Sequence, residues 1–109
     1  MEVSYGAMAI AKERSRQIEE EGWTTTHDTQ HIKGELAIAG ACYAFDYIGD
    51  AYKAEGCYQV AGDFWPWEGG SMKTTHKDYI RQLVKAGALI AAEIDRLQRI
   101  KLADGNGVQ

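Results

Sequence analysis

Two short stretches hold the residues whose types and spacing best suit chemistry, and the first is His27-Asp28-x-x-His31-x-x-x-Glu35. If a helix begins near residue 27, His27, His31 and Glu35 share one face, because four residues make about one turn. Two imidazoles and a carboxylate so placed can bind a divalent transition metal. Two other interpretations stay open: a polar ligand pocket, or a plain helix start capped by Asp28 with His31 paired to Glu35.

The second stretch, Phe64-Trp65-Pro66-Trp67, holds three aromatic rings in four residues. Such rings in a glycine-rich segment can stack on a nucleobase or on a partner's side chain. The alternative is that the tryptophans close the open end of a small helical bundle. Trp65 and Trp67 are therefore candidate ligand-binding residues, together with Trp23, which follows the first helix directly.

A cationic row, Lys77, Arg81 and Lys85, is spaced by four residues along the last helix. It can contact phosphates, which makes Arg81 and Lys85 candidate ligand-binding residues, or it can simply be the solvated face. Leu89 continues the row and is apolar, which indicates a partner or a second subunit there.

The acidic residues suggest a metal-dependent nucleotide hydrolase as an alternative. All-α nucleoside triphosphate pyrophosphatases of the MazG kind hold Mg²⁺ with an ExxE pair on one helix and an ExxD pair on the next. Here Asp95 follows Glu93 too closely, Arg96 stands in the place of the expected Asp, and the second helix has no ExxE pair. An enzyme of this kind would have to use His27, Asp28, His31, Glu35 and Glu93.

Three predicted helices position these residues. Apolar spacing and capping signals predict helices at about 5–21, 29–48 and 75–102, with an irregular, tryptophan-containing connection at 49–74. The expected fold is all-α: an antiparallel three-helix bundle with a long C-terminal helix. It forms one domain, 1–109, whose tail, 104–109, is frayed.

The apolar rows predict which faces form the core. In the first helix Ala7, Ile10, Ala11 and Ile18 recur at helical spacing, with charged residues on the other sides. The second helix is apolar on two sides, as in a central helix, and its small residues permit close packing. The last helix carries a heptad row, with steps of three and four, that we expect in the core: Ile80, Leu83, Gly87, Ile90, Ile94 and Leu97. Gly87 weakens a helix, so another helix is expected to cross there.

Composition excludes several classes of protein. The net charge is −4, which argues against binding to a nucleic acid duplex, because duplex-binding proteins usually carry an excess of basic residues. No apolar run is long enough for a membrane span and no signal peptide pattern opens the chain, so the expected location is the cytosol, in an infected host cell if the chain is phage-encoded. The two cysteines, Cys42 and Cys57, suit neither a disulfide scaffold nor a zinc site.

The chain resembles a group of small phage and prophage proteins of uncharacterised function. The motifs that carry the resemblance span most of the chain: Glu13-Arg14-x-Arg16-Gln17, Glu21-Gly22-Trp23-Thr24, His27-Asp28-x-x-His31, Gly34-Glu35-Leu36-Ala37, Tyr43-Ala44, Trp65-Pro66-Trp67, and Leu83 to Ile90 followed by Ala92-Glu93-Ile94. Such proteins often carry a further Trp-Lys pair after the Trp-Pro-Trp motif, where Glu68-Gly69-Gly70 stands here. The resemblance implies phage origin and action in the infected cell, without an established activity.

Together these features predict a non-enzymatic binder of a nucleotide-like small molecule or a host defence protein, acting in the conflict between phage and host. The expected ligand-binding residues are Trp23, His27, Asp28, His31, Trp65, Trp67, Arg81 and Lys85. No cofactor is expected; the alternatives are a divalent metal in a hydrolase, held by His27, His31 and Glu35, or an oligomeric protein-interaction module. The helix seams indicate a homo-oligomer.

Overall fold

The computed structural model of the chain describes residues 2–20, 34–75 and 78–104. Most of them belong to four helices: α1 Tyr5–Glu20, α2 Glu35–Tyr52, α3 Glu55–Phe64 and α4 Tyr79–Ala103. No strand occurs in these described ranges, which confirms the all-α class. The three-helix detail is not confirmed, because α3 is a further helix inside the segment predicted to be irregular.

Local backbone signals set where α2 and α4 begin. Gly34 has a φ of +83°, outside the right-handed helical region, so α2 starts at Glu35 rather than near residue 29. Asp78 caps α4, and its Oδ1 accepts a hydrogen bond of 2.9 Å from the backbone N–H of Arg81. The start of α4 predicted at residue 75 is therefore wrong; the N–H of Thr75 instead donates to the Gln82 side chain.

Helices α2 and α3 form a tight hairpin. Lys53 ends α2 in the left-handed conformation, with φ +53°, and its N–H donates to the carbonyl of Gly49. A Cβ added at Gly49 would meet the Tyr58 ring of α3 at 3.1 Å, so the absence of a side chain there lets the ring close over α2. The long irregular connection predicted at 49–74 is thus confined to residues 65–75 of the described chain.

The apolar core lies between α2 and α4. These helices run antiparallel, since Gly40 lies against Leu89 while Asp46, later in α2, hydrogen bonds to Gln82, earlier in α4. The core cluster consists of Leu36, Ala39, Tyr43, Ala86, Leu89 and Ala92. A Cβ at Gly40 would lie 2.9 Å from the Ala86 carbonyl oxygen, so the two backbones approach closely. The predicted central role of the second helix is confirmed, with α3 and α4 on its two sides.

Helix α1 packs on α4 through polar residues. Its buried residues are Glu13, Arg14 and Gln17, whereas Ile18 and Met8 are exposed, so the apolar face predicted for this helix does not form the core. Ile10 is the exception: its side chain fills the space beside Gly87, where a Cβ would lie 2.5 Å from Ile10 Cδ1. The close helix crossing predicted at Gly87 is confirmed.

The heptad row of α4 is on the outside of the described fold. Its large members are between 41% and 62% exposed: Ile80, Leu83, Ile90, Ile94 and Leu97. We call these five residues the apolar ridge. The expectation that they form the core was wrong, because the closely approaching α2 accepts only the small side of α4, which carries Ala86, Ala88 and Ala92. Leu89, assigned from sequence to a solvent or partner face, is buried in the core.

No helix in the described parts of the chain combines the length and apolar character that crossing a membrane requires.

Candidate functional site

Half of the ligand-binding residues expected from sequence fall in the described chain. Trp23, His27, Asp28 and His31 lie outside it, as does Lys77 of the cationic row. The four described candidates are Trp65, Trp67, Arg81 and Lys85, and each contacts other described residues.

Trp65 and Trp67 meet at Tyr43, close to the core cluster. Trp65 makes edge-to-face contacts with Tyr43, at a ring distance of 5.6 Å, and with Trp67, at 5.3 Å. Its indole N–H donates to Ser71 Oγ at 2.8 Å. Both tryptophans are half-buried against the core. In this arrangement both tryptophans pack against the α2–α4 core beside Tyr43, near the middle of α2.

Lys85 joins this aromatic group from α4. Its Nζ donates to the Lys73 carbonyl oxygen at 2.8 Å and lies 5.8 Å from the centre of the Tyr43 ring. The Tyr43 hydroxyl in turn accepts a hydrogen bond from the Lys73 backbone N–H. Trp65, Trp67 and Lys85 are therefore brought together, with Tyr43 as the residue that sequence reasoning left out.

Arg81 is held elsewhere, against α1. Its Nη2 lies 2.6 Å from Glu13 Oε1, and Arg16 makes two further hydrogen bonds to the same carboxylate, of 2.8 and 2.7 Å. The Glu13 side chain is almost fully buried, so two guanidinium groups converge on one enclosed negative charge. Arg81 and Lys85, one turn apart on α4, thus serve different elements.

Burial of Glu13 acts to raise its pKa, because a buried carboxylate loses hydration. The hydrogen bonds and positive charges of Arg16 and Arg81 outweigh burial, and the pKa of Glu13 is lowered from its ordinary 4.5. Glu13 is consequently ionised at neutral pH and fixes the orientation of both arginines.

A surface pocket of about 430 Å³ opens beside this ion-pair group, between α1 and the start of α4. We call it the basic pocket; it is lined by Tyr5, Ala9, Lys12, Glu13, Arg16, Asp78, Ile80, Arg81 and Val84. Its three cationic side chains exceed its two carboxylates by one. The sequence signal that could have found it is Glu13-Arg14-x-Arg16-Gln17, one of the motifs shared with small phage proteins in the resemblance.

The acidic residues of the hydrolase alternative are engaged with an arginine. Glu93 makes two hydrogen bonds to Arg96, of 2.7 and 2.9 Å. The hydrogen bond to Glu93 raises the pKa of Arg96, burial opposes this, and the charges of Glu93 and Glu35 add to the rise. Within the described residues no group of three His, Cys, Asp or Glu could hold a metal ion. His27 and His31, the other residues of the metal-binding alternative with Glu35, lie outside the described residues.

A tyrosine–aspartate cluster at the other end of α2 was missed from sequence. The Tyr58 hydroxyl donates to Asp50 Oδ1 at 2.9 Å. Burial, then this hydrogen bond, raises the pKa of Tyr58 to about 12. The hydrogen bond to Asp50 likewise raises the pKa of Tyr79. These phenols stay protonated at neutral pH and join α2, α3 and α4.

Comparison with known proteins gives no relative: no family model, no curated protein and no solved structure matches the chain.

Proposed function

We propose that this protein is a non-enzymatic binder of a nucleotide-like small molecule and that the basic pocket holds the ligand's phosphate. The observation that carries the proposal is the convergence of Lys12, Arg16 and Arg81 on one pocket beside a helix N-terminus. Its volume of about 430 Å³ lies in the range of small-molecule sites.

Phosphate recognition follows from the way Glu13 orders the arginines. A guanidinium carries five N–H donors, and Arg81 uses one nitrogen on Glu13, so the remaining donors are available to a second anion. Lys12 makes no ion pair within the described residues. The N-terminus of α4 adds a positive partial charge at Asp78 and Ile80, although the Asp78 carboxylate reduces it. A planar arginine guanidinium beside a lysine ammonium is an arrangement that suits a phosphate anion.

The base or sugar would lie against Tyr5. This side chain is exposed at the rim of the pocket and its ring offers a stacking face without a polar partner to displace. Ile80 and Val84 provide an apolar wall. The aromatic group at Trp65 and Trp67 is a second candidate surface for the ligand. Its rings pack against each other and are half-buried, so we prefer the basic pocket as the ligand-binding site.

Thermal-shift measurements with mononucleotides and cyclic dinucleotides test the proposal. A ligand that binds the folded state raises Tm with concentration. We expect Lys12→Glu to abolish the shift while leaving Tm without ligand unchanged, because Lys12 is exposed. Lys53→Glu, at an exposed lysine in the α2–α3 turn, is the matched control and should keep the shift. Trp67→Ala distinguishes the aromatic surface from the pocket.

Three results would overturn the proposal. The first two are that no nucleotide raises Tm, and that Lys12→Glu responds to nucleotides as the wild type does. Loss of the shift in Trp67→Ala alone would move the ligand to the aromatic surface and would also contradict the basic pocket.

The setting that we propose is the conflict between phage and host defence, and its support is the resemblance of the chain to small phage proteins. The metal-dependent hydrolase has weaker support, because Arg96 already interacts with both Glu35 and Glu93. Turnover of nucleotides with Mg²⁺ or Mn²⁺ by the purified protein would reverse this preference.

A further inference from the structure

The apolar ridge of α4 is largely unexplained by the basic pocket, which includes only Ile80 of its five residues, and by the core, to which none of the five belongs. Its five large aliphatic residues are about half exposed and follow one another along one side of a helix of 25 residues. Singly exposed aliphatic residues are normal on a protein surface, but a continuous row is typical of an association site. We propose that the ridge pairs with the ridge of a second copy of this chain, antiparallel, to form a homodimer.

The spacing of the ridge favours another α4 as the occupant. Steps of three and four residues keep a row facing an identical row on a neighbouring helix. The midpoint of the row falls between Ala88 and Leu89. A two-fold axis there sets Ile80 against Leu97 and Leu83 against Ile94. Ile90 then faces the position of Gly87, where the side chain of Ile10 from α1 fills the space, and each copy offers the same patch.

The area of the ridge fits a weak dimer. The ridge runs from Ile80 to Leu97, which is about 27 Å of helix about 10 Å across with its side chains. Pairing along this length covers a few hundred Å² on each copy, less than the roughly 800 Å² per partner of a standard interface, so we expect association only at high protein concentration.

Charge selects the antiparallel arrangement. Exposed Asp78 stands at the N-terminal end of the ridge and exposed Lys101 just beyond its C-terminal end. Antiparallel pairing sets Asp78 of one copy near Lys101 of the other, at both ends of the dimer. Parallel pairing would bring like charges together, and it would also align the two helix dipoles unfavourably.

Sedimentation velocity from low to high micromolar concentration tests the dimer. We expect the wild type to reach twice its mass of 12.1 kDa. Ile94→Lys should weaken association about tenfold or more, because it buries a charge at the interface. Phe64→Lys is the matched control: Phe64 is as exposed as Ile94, at 63% against 61%, but lies outside the ridge. A wild type that stays monomeric, or equal behaviour of the two variants, overturns the proposal.

Cysteine cross-linking tests the orientation in a Cys57→Ser background. Antiparallel pairing predicts that Ile80→Cys protein mixed with Leu97→Cys protein forms a disulfide-linked dimer, while neither does so alone. Cross-linking of each variant with itself would contradict the antiparallel arrangement. Both experiments use no nucleotide, so their failure is separate from failure of the ligand proposal.

Discussion

Helix α4 is packed on two sides in contrasting ways. Against α2 it buries Leu89, Ala86 and Ala92 in an apolar core, and the backbones approach closely at Gly40. Against α1 it uses charge, with Arg81 on Glu13 and Asp95 on Arg14. The first interface gains stability by removing apolar surface from water, the second by pairing groups whose desolvation is costly.

The contrast teaches that the most apolar face of a helix need not face its own core. Small residues permit the closest helix contact, so the alanine side of α4 is inside and the isoleucine and leucine side is outside. A helix that packs through polar residues, as α1 does, leaves much of that larger apolar side exposed in the described part of the chain.

The largest expected effect separates the core from the ridge. Leu89→Ala should cost about 2 to 5 kcal/mol in the free energy of unfolding, as for a buried leucine. Leu83→Ala makes the same chemical change on the ridge and should cost less than about 1 kcal/mol in the monomer, because Leu83 is 41% exposed. Urea unfolding at low protein concentration measures both. The reverse order would mean that the ridge is the core.

The next effect concerns the buried charge at Glu13. The pKa of Glu13 is below 4.5 in the fold, so its contribution is complete above that pH and is lost as the pH falls through the lowered pKa. Glu13→Gln should therefore cost roughly 2 kcal/mol at neutral pH, and the difference from the wild type should shrink in acid. Urea unfolding of the wild type and Glu13→Gln, at neutral pH and in acid, measures this difference in stability. Glu19→Gln, exposed on the same helix, is the control. A difference in the free energy of unfolding between the wild type and Glu13→Gln that grows in acid would contradict the ion-pair explanation.

Two glycines compare the two interfaces directly. Gly40→Ala forces a methyl group against the Ala86 backbone carbonyl, which can move only if the helices separate, at a cost of about 1 to 3 kcal/mol. Gly87→Ala meets only the Ile10 side chain, which can turn away, and replacing glycine adds roughly 1 kcal/mol of helix propensity. In thermal unfolding, the Tm of the Gly40→Ala variant should lie well below the Tm of the Gly87→Ala variant. Equal losses would show that α1 and α2 hold α4 equally tightly.

The smallest effect is expected at Asp95. Its contact with Arg14 is 3.5 Å long and the Asp95 side chain is 52% exposed, so solvent screens the pair. Asp95→Asn should change stability by less than about 0.5 kcal/mol in chemical denaturation. A loss in the free energy of unfolding as large as that of Glu13→Gln would mean that exposed and buried ion pairs contribute equally to stability.

Sequence reasoning predicted the all-α class and the close contact at Gly87, because helical periodicity and glycine placement are local signals. It assigned the wrong faces to α1 and α4, since side-chain hydropathy ranks Ile94 above Ala92 and cannot register how closely a neighbour approaches. It missed α3 because that segment contains Gly56 and Gly62. The basic pocket depends on the ion pair of Arg81 with Glu13, which are 68 positions apart in the sequence, a tertiary contact without a local pattern.

The polar packing of α1 has a consequence for how the molecule opens. Native proteins exchange their amide hydrogens in cooperative units, and the least stable unit opens first. The α2–α4 core and the α2–α3 hairpin contain most of the buried apolar residues of the described chain, whereas α1 is anchored chiefly by charged groups that acid weakens. Amides of α1 should thus lose protection while α2 and α4 are still closed. The protein then behaves as a stable helical unit with an N-terminal helix that detaches separately.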